Sequence, residues 1–86
     1  MEKVLAEMAI SESQRKSSPV RHYRNSNYVS DQIARIKVVQ FDEDSGYYIV
    51  YFDQEGNELN DTFFDTTELL KKNIKFEFGV EIILSE

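Results

Sequence analysis

The sequence predicts a mainly β, α+β domain. It reads as a small antiparallel meander of four to five strands, either an open sheet or a small closed barrel, with a short N-terminal helix and one helical turn after the third strand. Three observations carry this reading. Between residues 31 and 86, runs of β-branched and aromatic residues alternate with polar turns that contain glycine. At 86 residues the chain has room for one domain with a thin core. Leu, Ile, Val and Phe number 25 of those 86, a share above the roughly 20% that marks disorder.

The elements follow in order. Residues 1–10 read as a short amphipathic helix, because Val4 and Met8, like Leu5 and Ala9, are four apart. So short a helix must dock on the sheet or on a partner. Residues 11–30 carry six serines, one proline and a local charge of +3 from Arg15, Lys16, Arg21 and Arg24 against Glu12. Polar, aperiodic segments of this kind read as a linker or a basic arm. The antiparallel β domain then occupies residues 31–86.

Its first strand covers residues 32–41, with Ala34, Ile36 and Val38 on one face and Arg35 and Lys37 on the other. Residues 42–46 (Asp-Glu-Asp-Ser-Gly) form an acidic turn. Tyr47–Phe52 is six consecutive aromatic or β-branched residues, which suits a central strand covered on both faces. Residues 53–57 make the next turn, with Gly56 and Asn57 able to take left-handed conformations, and Glu58–Phe64 is the third strand. Asp65 and Glu68 have capping-box spacing for a helical turn through Leu69 and Leu70 that ends at Lys71, Lys72 and Asn73. Ile74, Phe76 and Phe78 alternate with Lys75 and Glu77 and predict a half-buried strand. Gly79 then marks a bend before Val80, Ile82 and Leu84 continue the alternation.

The order of strand, acidic turn, aromatic strand, Gly-Asn turn, strand and helical turn resembles small Tudor-like barrels over residues 33–78. The residues that carry the resemblance are Gly46 to Asp53, followed by Gly56. It implies a closed barrel whose tyrosines and nearby acids hold a methylated lysine or arginine by cation–π attraction.

Composition excludes several functions. With no cysteine and one histidine, disulfides, thiolate metal sites and multi-histidine metal centres are ruled out. No apolar run approaches the ~20 residues that span a bilayer, and Glu2, Lys3 and Glu7 break up any secretory core segment. A cytoplasmic protein is the expectation, with no membrane partner. The net charge of −6 argues against direct binding of nucleic acid, which needs a basic face.

The most informative feature is a charge block. Between Val38 and Leu70 there is no lysine or arginine, and nine carboxylates. Solubility is one explanation. The other is complementarity to a strongly basic partner, whose association opposite fields would accelerate. The candidate partner-binding residues are Asp42, Glu43, Asp44, Asp53, Glu55, Glu58, Asp61 and Asp65, with Tyr47 and Tyr51 as apolar anchors. Neither acidic turn has the twelve-residue spacing of a calcium loop, so no metal is expected. Carboxylates in polar turns stay ionised by water, so no acid–base pair is expected. His22 reads as an exposed imidazole in the linker, and no cofactor motif is present.

The function expected is that of a small non-enzymatic protein. It would block a basic nuclease, toxin or nucleic-acid-binding protein through its acidic hairpin face, as immunity proteins and phage inhibitors of similar size and charge do. A Tudor-like module for cationic peptides is the alternative. A further one is an antitoxin or accessory subunit whose basic arm, residues 15–24, touches another component.

Overall fold

The computed structural model describes residues 2–42 and 46–85. The fold is α+β, built on an open four-stranded antiparallel sheet with one long helix across one face. Its strands are β1 (Lys3–Ala9), β4 (Arg35–Gln40), β5 (Tyr47–Phe52) and β6 (Glu58–Phe64), in the spatial order β1-β4-β5-β6. A two-residue pair, β2 (Tyr23–Arg24) and β3 (Asn27–Tyr28), forms a separate hairpin. The helices are α1 (Glu12–Ser17) and α2 (Thr67–Phe78).

The meander β4–β5–β6 lies where alternation and turn chemistry place it. The side of the sheet that faces α2 carries Ile36 and Val38 from β4 and Ile49 and Tyr51 from β5, all fully buried. They pack with Leu5, Ile10, Val29, Ile33, Leu59, Leu70, Ile74 and Phe78 into one core. In the β5–β6 turn, the Asp53 carboxylate accepts from the Glu55 and Asn57 amides at 3.0 and 2.8 Å and from Asn57 Nδ2 at 3.2 Å. The Asn57 amide above all, with the other donors of the turn, holds the Asp53 carboxyl below its usual range against an opposing effect of desolvation.

The N-terminal segment corrects the helix expected over residues 1–10. Residues 3–9 form edge strand β1, paired antiparallel with β4 from Lys3↔Gln40 to Ala9↔Arg35. The four-residue spacing that suggested a helix also fits alternate strand positions, and a ladder on β4 satisfies more backbone groups than an isolated short helix can. An irregularity between Val4 and Ala6 turns Leu5 into the core. The N-terminal helix falls instead at Glu12–Ser17. There Ser11 accepts from Gln14 N while Gln14 Oε1 accepts from Ser11 N, a complete capping box.

Residues 11–30 are therefore structured rather than a linker. α1 lies against α2, and Arg15 donates to the Ile10 and Ile33 carbonyls, both at 3.2 Å. The β2–β3 hairpin turns at Asn25 and Ser26, both at positive φ, as a tight two-residue hairpin turn requires. A 3-10 turn over Ser30–Gln32 then leads into β4.

The largest correction concerns residues 65–84. Thr66, not Asp65, caps α2, its hydroxyl accepting from Leu69 N at 3.2 Å. The helix runs past Asn73 to Gly79, whose φ of 72° is the left-handed stop. The strand expected over residues 74–78 is helix, because burial falls on Leu70, Ile74, Glu77 and Phe78, a 3.6-residue stripe, while Phe76 is exposed. Without that strand the sheet does not close, which removes the barrel and its Tudor-like reading. Val80, Ile82 and Leu84 pack against the core as the alternation predicts, but in an extended tail. It is joined to β1 by a hydrogen bond from Ser85 N to Leu5 O of 2.7 Å.

Gly46 sets the entry to β5. At φ 80°, an added Cβ would lie 2.6 Å from the Phe63 ring and 2.9 Å from the Phe64 carbonyl. Gly46→Ala is expected to cost roughly 2–4 kcal/mol, strain and clash together. Gly79→Ala, strained but sterically open, is expected to cost only about 1 kcal/mol. Urea unfolding measures both, and equal losses would contradict the close approach of Phe63 to Gly46. Asp53→Ala is expected to lower the thermal midpoint at neutral pH. Because the folded pKa is depressed below 3.8, that stabilisation is present above the unfolded value and lost as pH falls through the folded one. The gap between wild type and variant should therefore close in acid, and a gap constant with pH would contradict the turn geometry.

Candidate functional site

Two features outside the apolar core could bear function: a buried polar cluster under α2 and the opposite, uncovered face of the sheet.

The cluster centres on Glu77. Its position on the buried stripe of α2 aims the carboxylate at the sheet, and its side chain has no solvent exposure. Oε1 lies 2.6 Å from His22 Nε2. Oε2 accepts from the Tyr51 hydroxyl and from Asn73 Nδ2, both at 2.6 Å. His22 Nδ1 faces Asn60 Nδ2 at 3.1 Å, and the His22 amide donates to Ser30 Oγ at 2.6 Å. In this amide orientation Nδ1 accepts, so Nε2 carries the proton and donates to Glu77. The imidazole also packs on the Tyr51 ring, with centroids 4.2 Å apart. Burial, then the Glu77 charge, pushes the Tyr51 hydroxyl far above its usual range, so it remains a donor.

Histidine, carboxylate and tyrosine in sequence have the outline of a proton relay. Here, however, both ring nitrogens and both carboxylate oxygens already face protein groups, and His22 is only 7% exposed. The arrangement suits holding elements together. It joins α2, β5, β6 and the segment around residues 22–30. His22, expected to be solvated, is thus a core residue, and Glu77, expected on an exposed strand face, is its partner. The spacing Leu70–Ile74–Glu77–Phe78 on a helix was the signal for Glu77. Nothing in the residues around His22 gives a comparable one.

The uncovered face is laid out by the registers. One row across the sheet is Phe63–Tyr48–Val39–Val4, and the next is Asp61–Val50–Lys37–Glu7. The Tyr48 ring sits edge-on between Phe41, at 5.4 Å, and Phe63, at 5.2 Å. Val39 and Val50 are buried beneath these side chains, while Phe41, Phe63 and Val4 are 44%, 47% and 43% exposed. The cations of the face are engaged: Lys37 Nζ lies 5.3 Å from the Phe52 ring centroid, and Arg35 pairs with Glu7 at 3.2 Å. Asp61 and Asp65 are exposed and have no ion-pair partner among the described residues.

The sequence-derived site residues are not brought to one place. Asp42 and Asp65 lie at one end of the meander, with Asp61 on the uncovered face nearby. Asp53, Glu55 and Glu58 lie at the other end, about 20 Å away along β5. There Asp53 and Glu55, with Asp31 and Arg15, line a polar cavity of about 370 Å³. Glu43 and Asp44 fall outside the described residues. Tyr47 is half-buried against the core and Tyr51 is wholly buried, so Tyr51 is no surface anchor. The aromatics on the outward face are instead Phe41, Tyr48 and Phe63, which the outward alternation of β4, β5 and β6 could have found. No group of three or more acidic or histidine side chains placed to hold a metal ion occurs among the described residues. No helix among them is long and apolar enough to cross a membrane.

No known protein family, curated protein or solved structure matches the chain.

Removing the hub of the buried cluster has a defined cost. Glu77→Ala would leave the His22, Tyr51 and Asn73 donors without their acceptor, an expected loss of about 3–5 kcal/mol. Tyr51→Phe removes one donor and is expected to cost about 1–2 kcal/mol. Chemical denaturation reads both, and a near-neutral Glu77→Ala would contradict the hub assignment.

Proposed function

We propose that this chain is a non-enzymatic binding protein that engages and blocks a basic protein through the uncovered face of its sheet. The observation that carries the reading is the aromatic row Phe41–Tyr48–Phe63, partly exposed and bordered by Asp42, Asp61 and Asp65. Exposed aromatic anchors with a polar rim are the usual anatomy of a protein interface. A rim of carboxylates selects a cationic partner and raises its association rate above the neutral ~10⁵–10⁶ M⁻¹s⁻¹.

A nuclease, a toxin or a nucleic-acid-binding protein has the required basic cleft, and carboxylates would occupy positions that phosphates otherwise fill. Two further properties support the reading. The net charge of −6 repels nucleic acid itself, and the absence of cysteine suits a reducing, cytoplasmic setting. The acidic turn at Asp53 and Glu55 contributes to the long-range field rather than to contact, since it lies at the far end of β5 and the Asp53 oxygens are engaged in their own turn.

The test is affinity capture from cell extract with two baits, wild type and Asp61→Lys/Phe63→Ser. Wild type is expected to retain a basic protein at low salt and release it as ionic strength rises. The variant, with an unchanged thermal midpoint, is expected to retain none. Recovery of the same proteins on both baits would contradict the reading.

A further inference from the structure

The side of α2 turned away from the sheet carries a surface that neither the core nor the proposed binding face uses. Leu69 and Phe76 are seven residues apart, two helical turns, and so lie on one face. They are 52% and 64% exposed. Ile83, on the adjoining tail, is 90% exposed. On a different flank of α2 from Leu69 and Phe76, Lys71, Lys72 and Lys75, together with Glu81, Ile82 and Ile83, line a cavity of about 350 Å³. Lys75 pairs with Glu81 at 3.1 Å, while Lys71 and Lys72 have no ion-pair partner among the described residues. Ile83 beside Lys71 and Lys72 makes a basic, partly apolar patch that an acidic and apolar surface would cover.

Such a surface exists on the same molecule. The opposite side of the sheet presents Phe63 and Tyr48 with Asp61 on the same face and the exposed Asp65 just after the end of β6, acid where the helix face is basic. We infer that the lysine face of α2 docks the acidic sheet face of a second copy of this chain. Because α2 covers one side of the sheet and the aromatic row lies on the other, the two surfaces point in opposite directions. The contact is therefore head-to-tail, and each added copy leaves one face of each kind free. The charge of −6 makes copies repel at long range, so association is weak and strengthens when moderate salt screens that repulsion. High salt then weakens the local Lys–Asp pairing.

The experiment is sedimentation velocity on the full chain from low micromolar to near-millimolar concentration. Two variants accompany it, Lys71→Glu/Lys72→Glu and Asp61→Lys/Asp65→Lys, each checked for an unchanged thermal midpoint. Wild type is expected to shift to dimers and longer species as concentration rises, while each variant alone stays monomeric. Mixed together, the variants are expected to associate again, because the mixture holds one intact wild-type face of each kind and its two charge-reversed faces are also of opposite sign. A wild type that stays monomeric throughout would overturn the inference. So would a mixture that stays monomeric while wild type associates, since another surface would then be responsible. Capture of a basic partner is a separate readout: Lys71→Glu/Lys72→Glu should retain it, whereas Asp61→Lys/Asp65→Lys should lose it. Failure of self-association thus stands apart from failure of partner binding.

Discussion

A single buried carboxylate organises this molecule. Moving an ion such as Glu77 out of water costs several kcal/mol, and the whole domain is held by only roughly 4–13 kcal/mol. The cost is offset because His22 Nε2, the Tyr51 hydroxyl and Asn73 Nδ2 all donate to it, each at 2.6 Å. Each donor comes from a different part of the fold: a polar segment before β4, the central strand, and the helix itself. Asn60 extends the set to β6. No buried side-chain nitrogen or oxygen is left without a partner among the described residues. The network thus specifies where α2 lies as well as that it lies on the sheet.

That placement has a consequence on the other side. A four-stranded sheet has two faces, and the one helix long enough to cover a face is committed to one of them. Residues 10–34 close around the same core, through Ile10, Val29 and Ile33. Among the described residues, the second face has only its own side chains for cover. Aromatic rings shelter Val39 and Val50, and Lys37 and Arg35 are drawn into local contacts. What remains accessible is apolar at its centre and acidic at one end. Charge segregation follows from the same layout: the cation-free run after Lys37 covers the end of β4, β5, β6 and the turns between them, and the lysines that end it fall on the helix.

The meander was legible because its signals are local. Tyr47–Phe52 and Glu58–Phe64 coincide with the runs of β-forming residues that predicted them, and Asp53 and Gly56 announce the turn between them. The segments whose structure departs from their own sequence pattern depend on distant partners. Residues 3–9 are a strand because β4 offers an edge, a fact absent from their own spacing. Residues 74–78 alternate as a strand would. Phe76 nevertheless points to solvent, because a buried stripe that includes a glutamate gives the helix a network no strand could make. Of the site, the exposed carboxylates were readable one by one, but their division between two ends of the sheet was not. Tyr51 has the sequence setting of a surface anchor, but its hydroxyl donates to Glu77 inside the fold.

The claim most exposed to test is that residues 18–32 belong to the cooperative core through His22. Native-state hydrogen exchange on the full chain measures this directly. The His22 amide, bonded to Ser30 Oγ, and the Val29 amide, bonded to the His22 carbonyl, are the reporters. Both are expected to exchange with the same opening free energy as the central amides of β4 and β5. Rapid exchange at these two positions beside a protected sheet would show a polar segment merely resting on the domain, and the organising role given to Glu77 would be wrong.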